Sequence, residues 1–259
     1  MFDFAGKRVF ITGGTRGIGL CVAVKMAKAG ADVAVNYLRN RSAADEARAA
    51  IMDASGGKEP LLLTGNVAKD EDIEKMFAEI GDKWGGLNFL ISNAASGVLK
   101  PSRELTHHHW QWTMDINAYA LLPLSRHAIP LMKSADGKGN GRIIAVSSLG
   151  SIRAFQNYAA VGASKGALES LVRHLCVEYA AQGINVNAVS ASVVDTDALK
   201  HFPNREAMIE ESLQWMPAKK LVTPENVADA VMLMCSEYTS MVHGHTFIVD
   251  GGLSIMLPG

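Results

Sequence analysis

The chain spells out an α/β protein: one doubly wound domain whose mainly parallel seven-stranded sheet carries helices on both faces. Three features lead there. At 259 residues, 48% of them hydrophobic and without a long polar tract, the chain suits one large core better than several small ones. Short apolar, β-branched runs alternate with longer stretches of helical period, the rhythm of a parallel sheet buried on both sides. The first such run ends in a glycine cluster that opens a helix.

Taken in order, strands are expected at 8–12, 32–37, 61–63, 89–91, 142–147, 185–189 and 246–249. Helices begin near Gly17, Ser42, Glu71, Glu104, Tyr158 and Pro224, so nearly every strand is followed by one. Pro123 and Pro130 lie inside the fourth helical stretch and predict a bend or break there, because proline removes a donor and crowds the preceding turn. The stretch 195–221 lacks the strand-then-helix rhythm, and we expect it to be a mobile cover over the strand ends that orders on substrate.

Composition narrows the function. Lys plus Arg is 25 against 26 Asp plus Glu, so there is no broad positive field for nucleic acid or an anionic membrane. A small polar metabolite, or an acidic carrier meeting a local basic patch, stays open. Cys21, Cys176 and Cys235 are far apart, odd in number and without metal-ligand spacing, which fits small buried side chains in a reducing compartment. The N-terminal residues lead straight into a strand, and no apolar run reaches the roughly 20 residues that span a bilayer, so a soluble cytoplasmic protein is expected. His107, His108 and His109 are consecutive and would face three directions on a helix, which predicts a solvated helix start and no metal site. Trp110 and Trp112 read as core or subunit interface.

The glycine cluster is Thr12-Gly13-Gly14-Thr15-Arg16-Gly17-Ile18-Gly19. Glycines there let the chain turn tightly and bring backbone N–H groups and a helix N-terminus against a pyrophosphate. The competing reading is an ordinary strand-to-helix turn. An acid at the end of the second strand would hold a ribose 2′-hydroxyl and repel a 2′-phosphate. Here the chain reads Val35-Asn36-Tyr37-Leu38-Arg39-Asn40-Arg41 with no acid, and Arg39, Arg41 and Arg16 are expected to converge on the phosphate of NADPH. Solvated surface arginines are the alternative.

These segments, with Ser92-Asn93-Ala94-Ala95, Asn117, Ser147-Ser148, Lys165 in Ala163-Ser164-Lys165-Gly166-Ala167-Leu168, and Val249-Asp250-Gly251-Gly252, resemble the short-chain dehydrogenase/reductase superfamily over essentially the whole chain. The resemblance implies a Rossmann-type domain, a nicotinamide cofactor, adenine contacts at Asn66 and Val67, and nicotinamide contacts near Val194 and Thr196. After the sixth strand, Ala191-Ser192 stands where the family usually has Pro-Gly.

The family's usual tyrosine, four residues before the lysine, is Val161 here. Tyr158 precedes Lys165 by seven residues, about 700° of helix, so the two share a face if the segment is continuously helical. The donor has moved roughly 5 Å toward the helix start. That suits reduction of an enoyl thioester, where hydride lands on the β-carbon while charge develops on the carbonyl oxygen two carbons away. This spacing, with Asn93–Leu99, Ser147–Arg153 and Asp195–Glu206, is similar to the NADPH-dependent enoyl-acyl-carrier-protein reductase of the third bacterial type.

The resemblance assigns Tyr158 to the substrate oxygen, Lys165 to the cofactor ribose and to a field that favours proton donation, and Ser148 to assistance at the carbonyl. Against these stand a helix cap for Tyr158 and a surface lysine for Lys165. Asn117 is either part of a proton relay or structural. The implied substrate is a thioester of acyl-carrier protein or coenzyme A, and the implied assembly a homotetramer. A 3-oxoacyl or other carbonyl reductase, and a non-catalytic NADP-binding regulator, are the rivals.

Overall fold

The computed structural model describes residues 2–135, 140–195 and 205–256. In chain order the elements are β1 (Arg8–Ile11), α1 (Gly17–Lys28), β2 (Asp32–Tyr37), α2 (Arg41–Ser55), β3 (Leu61–Thr64), α3 (Asp70–Trp84), β4 (Phe89–Ser92), α4 (His107–Met114), α5 (Leu121–Ala135), β5 (Gly141–Ser148), α6 (Ala159–Tyr179), β6 (Ile184–Ala191), α7 (Arg205–Trp215), α8 (Pro224–Cys235) and β7 (Thr246–Val249).

The seven strands form one sheet in the order β3-β2-β1-β4-β5-β6-β7, and every pairing is parallel. Alternation along each strand feeds two cores. In β1, Val9 and Ile11 join Val22, Met26 and Val231 on the side of α1 and α8, whereas Phe10 joins Phe77, Leu124 and Val172 on the side of α3, α5 and α6. The strand order reverses between β1 and β4, which leaves a crevice above their carboxyl ends where α/β sheets bind ligands.

Most boundaries move by a residue or two from the expected ones, as helix and strand ends do. Three differences have physical causes. The fourth helical stretch starts at His107 rather than near Glu104, because Thr106 caps it: Thr106 Oγ1 accepts from His109 N and His109 Nδ1 accepts from Thr106 N, both at 3.2 Å. The expected proline break is displaced. Asp115–Tyr119 forms a π-helical turn ending four residues before Pro123, in the turn that the proline ring crowds, while α5 runs on through Pro130. Within 195–221 lies a helix that the periodicity does not announce, α7.

Trp110 and Trp112 are not core residues; they are 42% and 41% exposed. Cys176 and Cys235 are buried, Cys21 is partly so, and all three are free thiols. Among the described residues no helix is long and apolar enough to cross a membrane.

Candidate active site

The crevice begins where β1 ends. Thr12 is buried, and its hydroxyl accepts from Asn93 N and Ala94 N at 3.0 Å each. Asn93 Nδ2 answers by donating to Thr12 O at 2.9 Å and Gly13 O at 3.1 Å, so the turns after β1 and β4 are locked together. No side chain fits between them. A Cβ on Gly19 would lie 2.4 Å from Gly13 O and 2.6 Å from Asn93 Nδ2, and Gly13 takes a φ of +62°. The turn delivers the start of α1, where Arg16 is extended and no side chain caps the first N–H groups. Those donors suit an anion.

A residue that the sequence reading passed over fastens the neighbouring strands. Asn36 is buried on β2; its Oδ1 accepts from Gly13 N at 3.3 Å and its Nδ2 donates to Gly65 O at 2.9 Å. It ties the ends of β1, β2 and β3 across 23 and 29 residues of chain, a distance at which no local pattern reports it.

Above these turns opens one cleft of about 720 Å³. It gathers Gly13, Thr15, Arg16, Gly17, Ile18, Arg39, Asn66, Val67, Asn93 and Val194 at its lining together with Ser148, Tyr158 and Lys165. Gly19 lies beneath the floor, and Thr196 falls outside the described residues, as does most of the Asp195–Glu206 stretch. Arg41 does not line the cleft. Asp45 and the Tyr37 hydroxyl hold its guanidinium at 3.0 Å each, so of the three arginines expected to converge only Arg16 and Arg39 face the cleft. Trp112, Ile116, Phe155 and Met208 add an apolar wall, which places Trp112 at the cleft rather than in the core.

Asn117 is not at the lining. It is buried in the π-helical turn, accepting from Ser96 N and donating to Ser164 Oγ at 2.9 Å each, and so anchors the loop after β4 to α6. Both polar ends of its amide are engaged by protein.

Tyr158 caps α6 by position: the helix starts at Ala159, and Gly162 N donates to Tyr158 O at 2.7 Å. Its hydroxyl points to Ser148 Oγ at 3.4 Å, a long hydrogen bond, and its ring stands edge-on to Phe155. The ring lies on Gly150, where a Cβ would come within 2.3 Å of Tyr158 Cε1. Val161, the family's usual tyrosine position, is buried, and its Cγ2 would be 2.3 Å from a Cβ on Gly97. That space is filled by packing.

Lys165 is buried, with Nζ donating to Val146 O at 2.8 Å. Burial lowers its pKa to about 8, opposed by the charge of Glu169. Burial raises the Tyr158 pKa, and the Ser148 hydrogen bond works the other way.

Residues 13–254 match a family described as Enoyl-(Acyl carrier protein) reductase. The chain belongs to the short-chain dehydrogenase/reductase superfamily. This dehydrogenase/reductase is 36% identical to 1-cyclohexenylcarbonyl-CoA reductase of Streptomyces collinus, over 96% of its own length and 87% of the relative's. It is 32% identical to glucose 1-dehydrogenase of Gluconobacter oxydans, covering 97% and 93% of the two chains. It is also 30% identical, over 99% of both chains, to an enoyl-acyl-carrier-protein reductase (NADH) of Synechocystis. An oxidoreductase of this superfamily uses a nicotinamide cofactor, and the glycine cradle beneath the cleft, which any Cβ at Gly19 would obstruct, fits its pyrophosphate.

Proposed function

We propose that this protein is an enoyl-thioester reductase that saturates the 2,3 double bond of an acyl group carried on acyl-carrier protein or coenzyme A, with NADPH as reductant. The carrying observation is the pair of positions on α6: Tyr158 offers its hydroxyl to the cleft beside Ser148, while Val161 is consumed by packing on Gly97.

The cofactor, when bound, supplies hydride to the β-carbon. The glycine turn, Arg16 and Arg39 would hold its phosphates; Asn66, Val67 and Asn93 would flank the adenosine half; Val194 would serve the nicotinamide end. Lys165 would hold the ribose hydroxyls. Tyr158 hydrogen-bonds the thioester carbonyl oxygen as negative charge grows there and gives it a proton, which then passes to the α-carbon as the carbonyl reforms. Ser148 aims the tyrosine hydroxyl. Trp112, Phe155 and Met208 shield the acyl group from water. The absence of an acid after β2 and the two cleft arginines favour NADPH over NADH.

The test is cofactor oxidation with a crotonyl thioester and the matching 3-oxoacyl thioester side by side, in native protein and Tyr158→Phe, with each cofactor. We expect preferential reduction of the enoyl substrate with NADPH. Tyr158→Phe should lower turnover about 100-fold while leaving NADPH affinity nearly intact. Preference for the 3-oxo substrate, or full activity of Tyr158→Phe, overturns the reaction; equal efficiency with NADH overturns the cofactor.

A further inference from the structure

Glu169 has no part in the chemistry above, yet it sits at the centre of the catalytic end. It follows Lys165 by one turn of α6, so the two side chains project from the same face, and both are about 6% exposed. A carboxyl group so far from water must be met by donors. Two hydroxyls meet it. Ser147 Oγ donates to Glu169 Oε1 at 2.5 Å, and Ser151 Oγ donates to the same oxygen at 2.7 Å.

Those serines bracket a short segment, and what lies between them bears on Tyr158. Ser148 accepts from the tyrosine hydroxyl, and Gly150 carries the tyrosine ring. Gly150 N also donates to Ser148 Oγ at 3.2 Å, which stiffens the segment from within. Lys165, one turn earlier on the same face of α6, has its Nζ bound to Val146 O, in the residue before Ser147. The charge of Glu169 opposes the effect of burial on Lys165. The cleft's other titratable group near the lysine, Tyr158, has Ser148 as its partner.

We propose that Glu169 is a positioning residue for the catalytic pair: through Ser147 and Ser151 it fixes the segment that seats Tyr158, and from one turn along the same face of α6 it offers Lys165 a counter-charge. This rests on the roles given above to Tyr158 and Lys165. Glu169 does not line the cleft and touches no substrate.

Two variants separate the halves. Glu169→Gln keeps an acceptor oxygen for the serines and removes the charge. Titrating NADPH by its fluorescence across neutral to alkaline pH, we expect the pH at which binding weakens to fall by about one unit relative to native protein. The paired change Ser147→Ala with Ser151→Ala keeps the carboxyl group but unties it from the segment; it should lower kcat several-fold. A Glu169→Gln binding limit that superimposes on the native one overturns the electrostatic role. A folded double-serine variant with native kcat overturns the seating role. The cofactor titration needs no acyl substrate, so failure of native protein to reduce enoyl thioesters would sink the proposed reaction while leaving the charge test intact.

Discussion

Lys165 shows how one residue sets activity and stability against each other. Its pKa lies at about 8 instead of 10.5 because the ammonium is buried. Below about pH 8 it is protonated in both folded and unfolded chains, and the fold bears the full cost of burying the charge. Between about 8 and 10.5 the unfolded chain holds a proton that the folded one has lost, so stability rises with pH across that window, by up to about 1.4 kcal/mol per unit. Cofactor binding should run the opposite way, since the same deprotonation removes the cation. Thermal unfolding of native protein and Lys165→Met, followed from pH 7 to 10 without cofactor, checks the sign: native protein should gain on the variant only above about pH 8. A gap that does not change with pH would show that the lysine is not titrating in the fold.

At the scale of elements, the strands were legible because most are short apolar runs rich in β-branched residues, and in β1, β2, β5 and β6 burial on both faces leaves little room for another reading. The glycine turn and the shifted tyrosine were legible for a similar reason, since each is a local spacing. What stayed hidden depends on partners distant in sequence. Asn36 is defined by Gly13 and Gly65, and Glu169 by serines 22 and 18 residues earlier. Arg41 was misassigned because its nearest acid, Asp45, completes a helical i,i+4 pair on α2 that holds it outside the cleft. Helix α7 escaped because its apolar residues do not gather on one face, yet Met208 reaches the cleft from it. That contact makes the cover testable. Hydrogen exchange over α7 should slow when NADPH and an acyl ligand are added together, with Met208 shielded by the acyl group; protection that is unchanged in all of 205–215 would remove α7 from the substrate's enclosure.

At the scale of the whole molecule, several large apolar side chains stand open on the described surface. Tyr238 and Met241, just beyond α8, are 87% and 89% exposed; Val177 near the end of α6 is 83% exposed, and Ile255 is 82% exposed. The same end of the sheet is β7, which among the described residues pairs with β6 alone and leaves its other edge unpaired. An unpaired edge beside exposed apolar groups invites another chain, and the superfamily resemblance points to a second copy and then to four. Sedimentation should therefore give a particle of four times the 27.7 kDa chain. Tyr238→Glu with Met241→Glu would bury charge in such an interface, so the double variant should sediment as a smaller species. Its cofactor affinity per chain should be unchanged, because neither residue is at the cleft lining. Native protein that sediments as a single chain would rule the homotetramer out and leave these apolar groups exposed for another purpose.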